Sequence, residues 1–263
     1  MSDYIDINRK MWNDRVDLHY HSAFYGVDDF LSGKSSLKDI EIRLLGDLLG
    51  LHVLHLQCHF GMDTLSLARM GAMVTGVDFS DKAIDTAVNL SRASNLEAEF
   101  ICSDIYKLSE VIDKQFDVVF TSYGTIGWLP DLNRWADVVA SCLKPGGRFI
   151  MVEFHPVIWM FDDRFQRIEY SYFNTGPIIE TTQGSYADRN AKLESISYGW
   201  NHSTAEVLNA LIRSGLQIRS FEEYDYSPYK VPEVSVETDE GKFMIPGHEH
   251  QIPMIFSLEA IRT

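Results

Sequence analysis

Val53-Leu54-His55-Leu56-Gln57-Cys58-His59-Phe60-Gly61, followed at a short distance by Thr75-Gly76-Val77-Asp78, is the stretch on which the reading of this chain turns. It gives an apolar run, a tight loop, a helix over about 63–70, and a second apolar run that ends on a carboxylate. A buried parallel strand running into a loop and a helix start presents free backbone N–H groups to a ligand. An acid at the tip of the next strand can accept both hydroxyls of a ribose. Two strand tips and one helix start therefore point to a nucleoside-bearing cofactor and leave open which one.

Outward from this point the same alternation continues. Strands are predicted over 52–57, 73–78, 97–103, 116–122 and 148–154, with helices over 63–70, 82–94, 105–113 and 132–140 between them. The turn Lys144-Pro145-Gly146-Gly147 precedes the fifth strand. Upstream, Leu37, Ile40, Leu44 and Leu48 recur at helical spacing after Ser36, which predicts a helix ending at Gly50. Residues 1–35 are rich in aromatic side chains (Trp12, Tyr20, Phe24, Tyr25, Phe30). They read as a helix over 5–15 followed by an ordered arm or lid. After 154 the pattern breaks. Residues 155–200 read as a β-rich insertion, and Ser203-Thr204-Ala205-Glu206 is a capping box opening a helix to about 214. Strands over 217–226 and 253–261 flank a polar loop insertion, 227–251. The expected architecture is α/β, a doubly wound, mostly parallel seven-stranded sheet with right-handed crossovers. It has an N-terminal arm (1–35), a core (36–154 and 201–263) and an inserted cap (155–200).

Composition narrows the function. The 263 residues carry 23 Lys and Arg against 38 Asp and Glu, a net charge of −15, which argues against nucleic acid or an anionic membrane surface as partner. No apolar run of about 18 residues and no basic-then-apolar leader is seen, so the cytoplasm is the expected compartment. Cys58, Cys102 and Cys142 lack Cys-x-x-Cys spacing and read as buried small hydrophobes in a reducing environment. No metal is expected, because His248 and His250 form only an isolated His-x-His pair in a loop. The dinucleotide fingerprint Gly-x-Gly-x-x-Gly is absent from the first strand–helix turn, and no P-loop element occurs.

Taken together, these segments resemble the class I S-adenosylmethionine-dependent methyltransferases, closely over 37–154 and in outline over 203–263. The opening stretch corresponds to the glycine-rich first motif. Gly71-Ala72-Met73-Val74-Thr75-Gly76-Val77-Asp78-Phe79-Ser80 corresponds to the second motif, and Cys102-Ser103-Asp104-Ile105 to the third. Phe116-Asp117-Val118-Val119-Phe120 is similar to the fourth strand, and Leu143-Lys144-Pro145-Gly146-Gly147 to the turn before the fifth. The resemblance implies S-adenosylmethionine as cofactor, a ribose contact at Asp78 and an adenine contact at Asp104. The neighbours Phe79, Ser80, Ile105 and Thr121, and Tyr20 of the arm, would lie alongside. The first motif departs from the family pattern: His55 replaces its acid, Gln57 and His59 replace two of its glycines, and Gly61 alone remains. Cβ atoms at 57 and 59 are expected to reshape the loop, and either side chain could bond the methionine end of the cofactor.

For chemistry, Tyr123 at the end of the fourth strand is a candidate wall beside the transferred methyl. Glu153 and His155 at the exit of the fifth are candidate acid–base groups, with imidazole suited to deprotonating an acceptor. His202, near a helix start, is a second candidate base. The expected activity is methyl transfer to a small-molecule acceptor. A binding protein without turnover (a sensor or partner subunit) and transfer of another group from a related sulfonium stay open, as does pairing of the inserted strands across a homodimer.

Overall fold

The apolar runs fold into strands that are buried on both faces. Residues 3–239 and 241–263 are described by the structure, a computed structural model. Three helices, α1 (Asp3–Tyr20), α2 (Val27–Leu31) and α3 (Asp39–Leu45), come first. Then follow β1 (His52–Leu56), α4 (Met62–Arg69), β2 (Met73–Asp78), α5 (Asp81–Ser94), β3 (Glu99–Cys102), β4 (Phe116–Ser122), α6 (Leu132–Cys142) and β5 (Leu143–Phe154). The chain continues through the hairpin β6 (Ile178–Gln183) and β7 (Glu194–Gly199), then α7 (Thr204–Arg213) and β8 (Leu216–Tyr224). A second hairpin, β9 (Val236–Asp239) and β10 (Lys242–Met244), leads to β11 (Ile255–Arg262).

Seven strands form one sheet in the order β3-β2-β1-β4-β5-β11-β8. The first five run parallel, and β11 is antiparallel to both of its neighbours. Alternation sorts the side chains. Leu54, Leu56, Val119, Phe149 and Met151 pack on one face with Trp135 and Val139 of α6 and Leu211 of α7. Val53, Val118, Phe120 and Ile150 pack on the other with Leu45, Leu48 and Leu67. Burial on both faces is why these strands read as nearly continuous apolar runs. The β-rich insertion is the β6–β7 hairpin, which packs on α1. Asn8 donates to the Tyr198 carbonyl (2.8 Å) and accepts from its N–H (2.9 Å). Among the described residues, no helix is long and apolar enough to cross a membrane.

Several boundaries differ from the sequence reading. The helix expected to end at 15 runs on to Tyr20, because its last turns gain partners from the hairpin. The helix expected over 36–50 is only α3. Glu41 accepts the Lys38 N–H at its start (3.3 Å), and Gly46 at φ 64° ends it. The 105–113 segment is a 3-10 turn over Ile105–Glu110. β5 begins before the Pro-Gly-Gly turn. Pairing jumps from Phe116↔Leu143 to Val118↔Arg148, and the intervening residues loop out. A Cβ at Gly147 would stand 2.9 Å from the Lys144 carbonyl oxygen, so the loop needs glycine there. Cys58 and Cys142 are buried as expected, but Cys102 is exposed, because it ends a four-residue strand at the sheet edge.

Candidate functional site

The carboxyl ends of β1, β2 and β3 meet where the first-motif loop turns into α4. The expectation that Gln57 and His59 reshape this loop is not met. Gln57 (φ 55°) and His59 (φ 51°) occupy the same left-handed region as Gly61 (φ 80°), so the backbone keeps a glycine-type path with side chains on it. Left-handed backbone costs a non-glycine residue about 1–2 kcal/mol. Local bonds offset the cost. The His59 N–H donates to Asp78 Oδ2 (2.8 Å), the Gly61 N–H to the Cys58 carbonyl (2.9 Å), and Gln57 Nε2 to the Thr125 carbonyl (2.8 Å). Gly61 is fixed by packing as well: a Cβ there would stand 2.7 Å from the Phe100 ring.

A cleft of about 470 Å³, counting its open mouth, lies over these strand ends. Gln57, Val77, Asp78, Phe79, Asp104 and Ile105 line it, so five of the expected cofactor residues are brought together with Val77. Asp78 is buried, and its Oδ1 also accepts the Ser80 N–H (2.9 Å). Burial pushes its carboxyl up to about 6, against the pull of the backbone N–H groups of Ser80, His59 and Phe79. Asp104 caps the 3-10 turn by accepting the Tyr106 N–H (3.0 Å), which leaves carboxylate lone pairs facing the cleft. Gln57 Oε1 is buried with no partner, an acceptor held ready for a ligand donor.

The remaining candidates lie elsewhere. The Ser80 hydroxyl caps α5 through the Ala83 N–H (3.0 Å). Thr121 is buried and donates to Thr125 Oγ1 (3.1 Å). The Tyr20 ring packs on Phe60, 5.8 Å between centroids. His59 turns its ring to His19 of α1, with Nε2 2.9 Å from His19 Nδ1. Glu153 is not free for proton transfer. Its buried carboxylate accepts the backbone N–H groups of Gly124, Thr125 (2.8 Å), Ile126 (3.3 Å) and Phe154 (2.7 Å), and the Thr125 hydroxyl (3.0 Å). Both ring nitrogens of His155 are engaged: Nε2 pairs with Glu223 Oε1 (2.8 Å), and Nδ1 accepts the Val157 N–H (3.3 Å). His202 Nε2 donates to the Leu129 carbonyl (2.7 Å). Among the described residues no cluster of three metal-type ligands occurs.

Tyr123 (φ 34°) donates its hydroxyl to Glu41 Oε2 (2.8 Å) and does not line the cleft. Burial, reinforced by Asp63, pushes the Glu41 carboxyl up to about 8, so the folded protein keeps a proton that the unfolded chain releases near 4.5. The stability this provides is full at low pH and is lost as pH rises from about 4.5 through about 8. Glu41→Gln should match the wild type near pH 5 and exceed it by roughly 3–5 kcal/mol at pH 9 in urea titrations. Identical pH profiles would show that Glu41 ionises normally.

The sequence reading makes this arm a lid but does not name the α1 residues that line the cleft. Tyr4, Ile5 and Asn8 line it, together with Tyr106, Trp128 and Leu129. Trp12 stands edge-on to Trp128 (5.5 Å) and His59 (5.3 Å), and Arg15 and His19 are buried beyond it. Tyr4, Asn8, Trp12, Arg15 and His19 recur at helical spacing, and that polar and aromatic stripe was the available signal.

Comparison with known proteins agrees with this geometry. A family described as a methyltransferase domain matches residues 53–147. A ubiquinone biosynthesis O-methyltransferase of Coxiella burnetii is 37% identical over 112 residues, 43% of this chain and 46% of that protein. The counterpart from Bordetella avium is 24% identical over 186 residues, 71% of this chain and 70% of that protein. The chain thus spans about half the length of the Coxiella relative. Among solved structures, an S-adenosylmethionine-dependent methyltransferase of Mesorhizobium loti superposes with a TM-score of 0.60 at 26% identity, covering 88% of this chain and all of that one. A DhpI–SAH complex superposes with a TM-score of 0.58 at 18% identity, covering 99% and 97%, a likeness of fold alone.

Proposed function

We propose, from its membership of the class I S-adenosylmethionine-dependent methyltransferases, that this chain transfers the cofactor's methyl group to a small-molecule acceptor. The observation that carries the reading is the pair Asp78 and Asp104, which face one cleft from neighbouring strand ends. The residues present fit the cofactor. Asp78 would accept the ribose hydroxyls, and Asp104 the adenine amino N–H. Val77, Phe79, Ile105 and Leu129 would hold the base between apolar surfaces. The orphaned Gln57 Oε1 would take the ammonium of the methionine end. Bound there, the cofactor supplies a methyl group already activated by its sulfonium.

What is left for the chain is to align the acceptor and exclude water. Positioning accounts for up to ~7–11 kcal/mol of barrier in favourable cases, whereas a general base adds ~10²–10⁴-fold. α1 and the β6–β7 hairpin serve as the cover, with Trp12 and Trp128 closing the cleft beside the first-motif loop. The name of the Coxiella relative favours a hydroxyl acceptor, and the net charge of −15 disfavours nucleic acid. Retention of left-handed backbone at Gln57 and His59, at an energetic cost, favours a working cofactor site over an eroded one.

The test is to incubate the protein with S-adenosylmethionine and a panel of phenols and catechols, and to follow S-adenosylhomocysteine by mass spectrometry. Formation of product with at least one acceptor is expected. Tight cofactor binding with no turnover across phenols, amines and thiols would favour the binding-only protein.

A further inference from the structure

Beyond Trp12, α1 carries a guanidinium that the proposed chemistry does not use. Arg15 is 6% exposed. Its Nη2 donates to Thr182 Oγ1 (3.1 Å) and Ser195 Oγ (3.2 Å) of the hairpin, while its Nε is buried with no partner. No carboxylate pairs with it among the described residues, although the chain holds 38 acidic side chains. A guanidinium stays charged in a protein, and a buried charge without a counterion costs several kcal/mol. Its neighbours are neutral. Burial, then Arg15 itself, pushes the His19 imidazole down to about 3. Burial, then His19, holds the His59 imidazole well below its ordinary range. Burial raises Tyr25 and Tyr186 above the ordinary phenol range. The cluster around Arg15 therefore holds one uncompensated positive charge.

The rings packed in this cluster are flat and apolar with polar edges. Tyr25 stacks on His19 (5.2 Å, 26°), the Tyr186 ring lies 4.8 Å from it, and His19 Nε2 bonds Ser185 Oγ (2.6 Å). We infer that Arg15 receives the carboxylate of an aromatic methyl acceptor. This rests on the methyltransferase reading above. A carboxylate matches the single positive charge, whereas a phosphate monoester carries ~1.5–2 negative charges at neutral pH. The acceptor is the occupant favoured over the cofactor's own carboxylate. Arg15 and its hydroxyl partners on the hairpin do not line the cofactor cleft, to which α1 contributes Tyr4, Ile5 and Asn8.

The experiment uses calorimetry on protein saturated with S-adenosylhomocysteine, with benzoate and benzamide as probes. Benzoate should bind the wild type and benzamide at least about tenfold more weakly, and Arg15→Met should cost benzoate about tenfold or more. Arg15→Lys should restore part of the loss. Without ligands, Arg15→Met should raise Tm by a few degrees, because it removes an unpaired buried charge, whereas a purely structural tether would lower it. No benzoate binding to the wild type, equal binding of the two probes, or unchanged benzoate binding in Arg15→Met would overturn the inference. So would a tenfold loss of S-adenosylhomocysteine affinity in Arg15→Met with 5′-methylthioadenosine, which lacks the amino-acid tail, unaffected. Failure of the wild type to bind S-adenosylhomocysteine would instead defeat the methyltransferase reading.

Discussion

Asp78→Ala is expected to weaken S-adenosylhomocysteine binding by about 100-fold or more while the protein stays folded. Each charge-assisted hydrogen bond to a ribose hydroxyl is worth ~1.5–3 kcal/mol, and Asp78 is placed to accept two. The carboxylate also holds the His59 N–H at 2.8 Å and the Ser80 N–H at 2.9 Å, so its loss loosens the first-motif loop as well. Because burial sets its carboxyl near 6 in the free protein, the acceptor form is lost below that pH. Wild-type affinity should then fall about tenfold per unit as pH drops below 6, a slope the alanine variant should lack. Calorimetry between pH 5 and 8 checks both. A folded Asp78→Ala protein with affinity within threefold of wild type would remove the ribose assignment.

Glu153→Ala should unfold the protein more readily rather than slow its chemistry. The alanine leaves the backbone N–H groups of Gly124, Thr125, Ile126 and Phe154 buried without an acceptor. A cost of about 3–5 kcal/mol lowers Tm by roughly 10 °C in a chain of this size. Glu153→Gln should fare little better, since its amide turns donors toward donors. Cofactor affinity should fall with stability, because the Thr125 carbonyl positions Gln57. An acid–base role would give the opposite pattern, in which Glu153→Gln keeps Tm and loses turnover.

The sequence carried the sheet because parallel strands buried on both faces leave unmixed apolar runs, and β2 and β4 fall where those runs begin and end. It carried Asp78 and Asp104 because strand tips are marked by where the run stops. It could not show that Glu153 is claimed by the 124–126 loop or that Glu223 of β8 meets His155, since those partners come from distant segments. A carboxylate and an imidazole at a strand exit look the same whether they face a substrate or a backbone turn. Nor does local spacing reveal that Gln57 and His59 hold left-handed backbone, because tertiary bonds from Thr125 and Asp78 decide it. The α1 stripe was readable, but its meaning depended on the hairpin nearly two hundred residues away, with Tyr198 on Asn8.

The placement of β11 between β5 and β8 governs how this molecule can assemble. Among the described residues β8 pairs in the sheet only through β11, whose Ile255 also meets Phe154 at the end of β5. β8, although made earlier, has no place in the sheet until residues 255–262 arrive. Such long-range closure is a slow, late kinetic step. Until then the β5 edge stays open as a template for pairing with other chains, so the hazard in making this protein is aggregation before the last strand zips in.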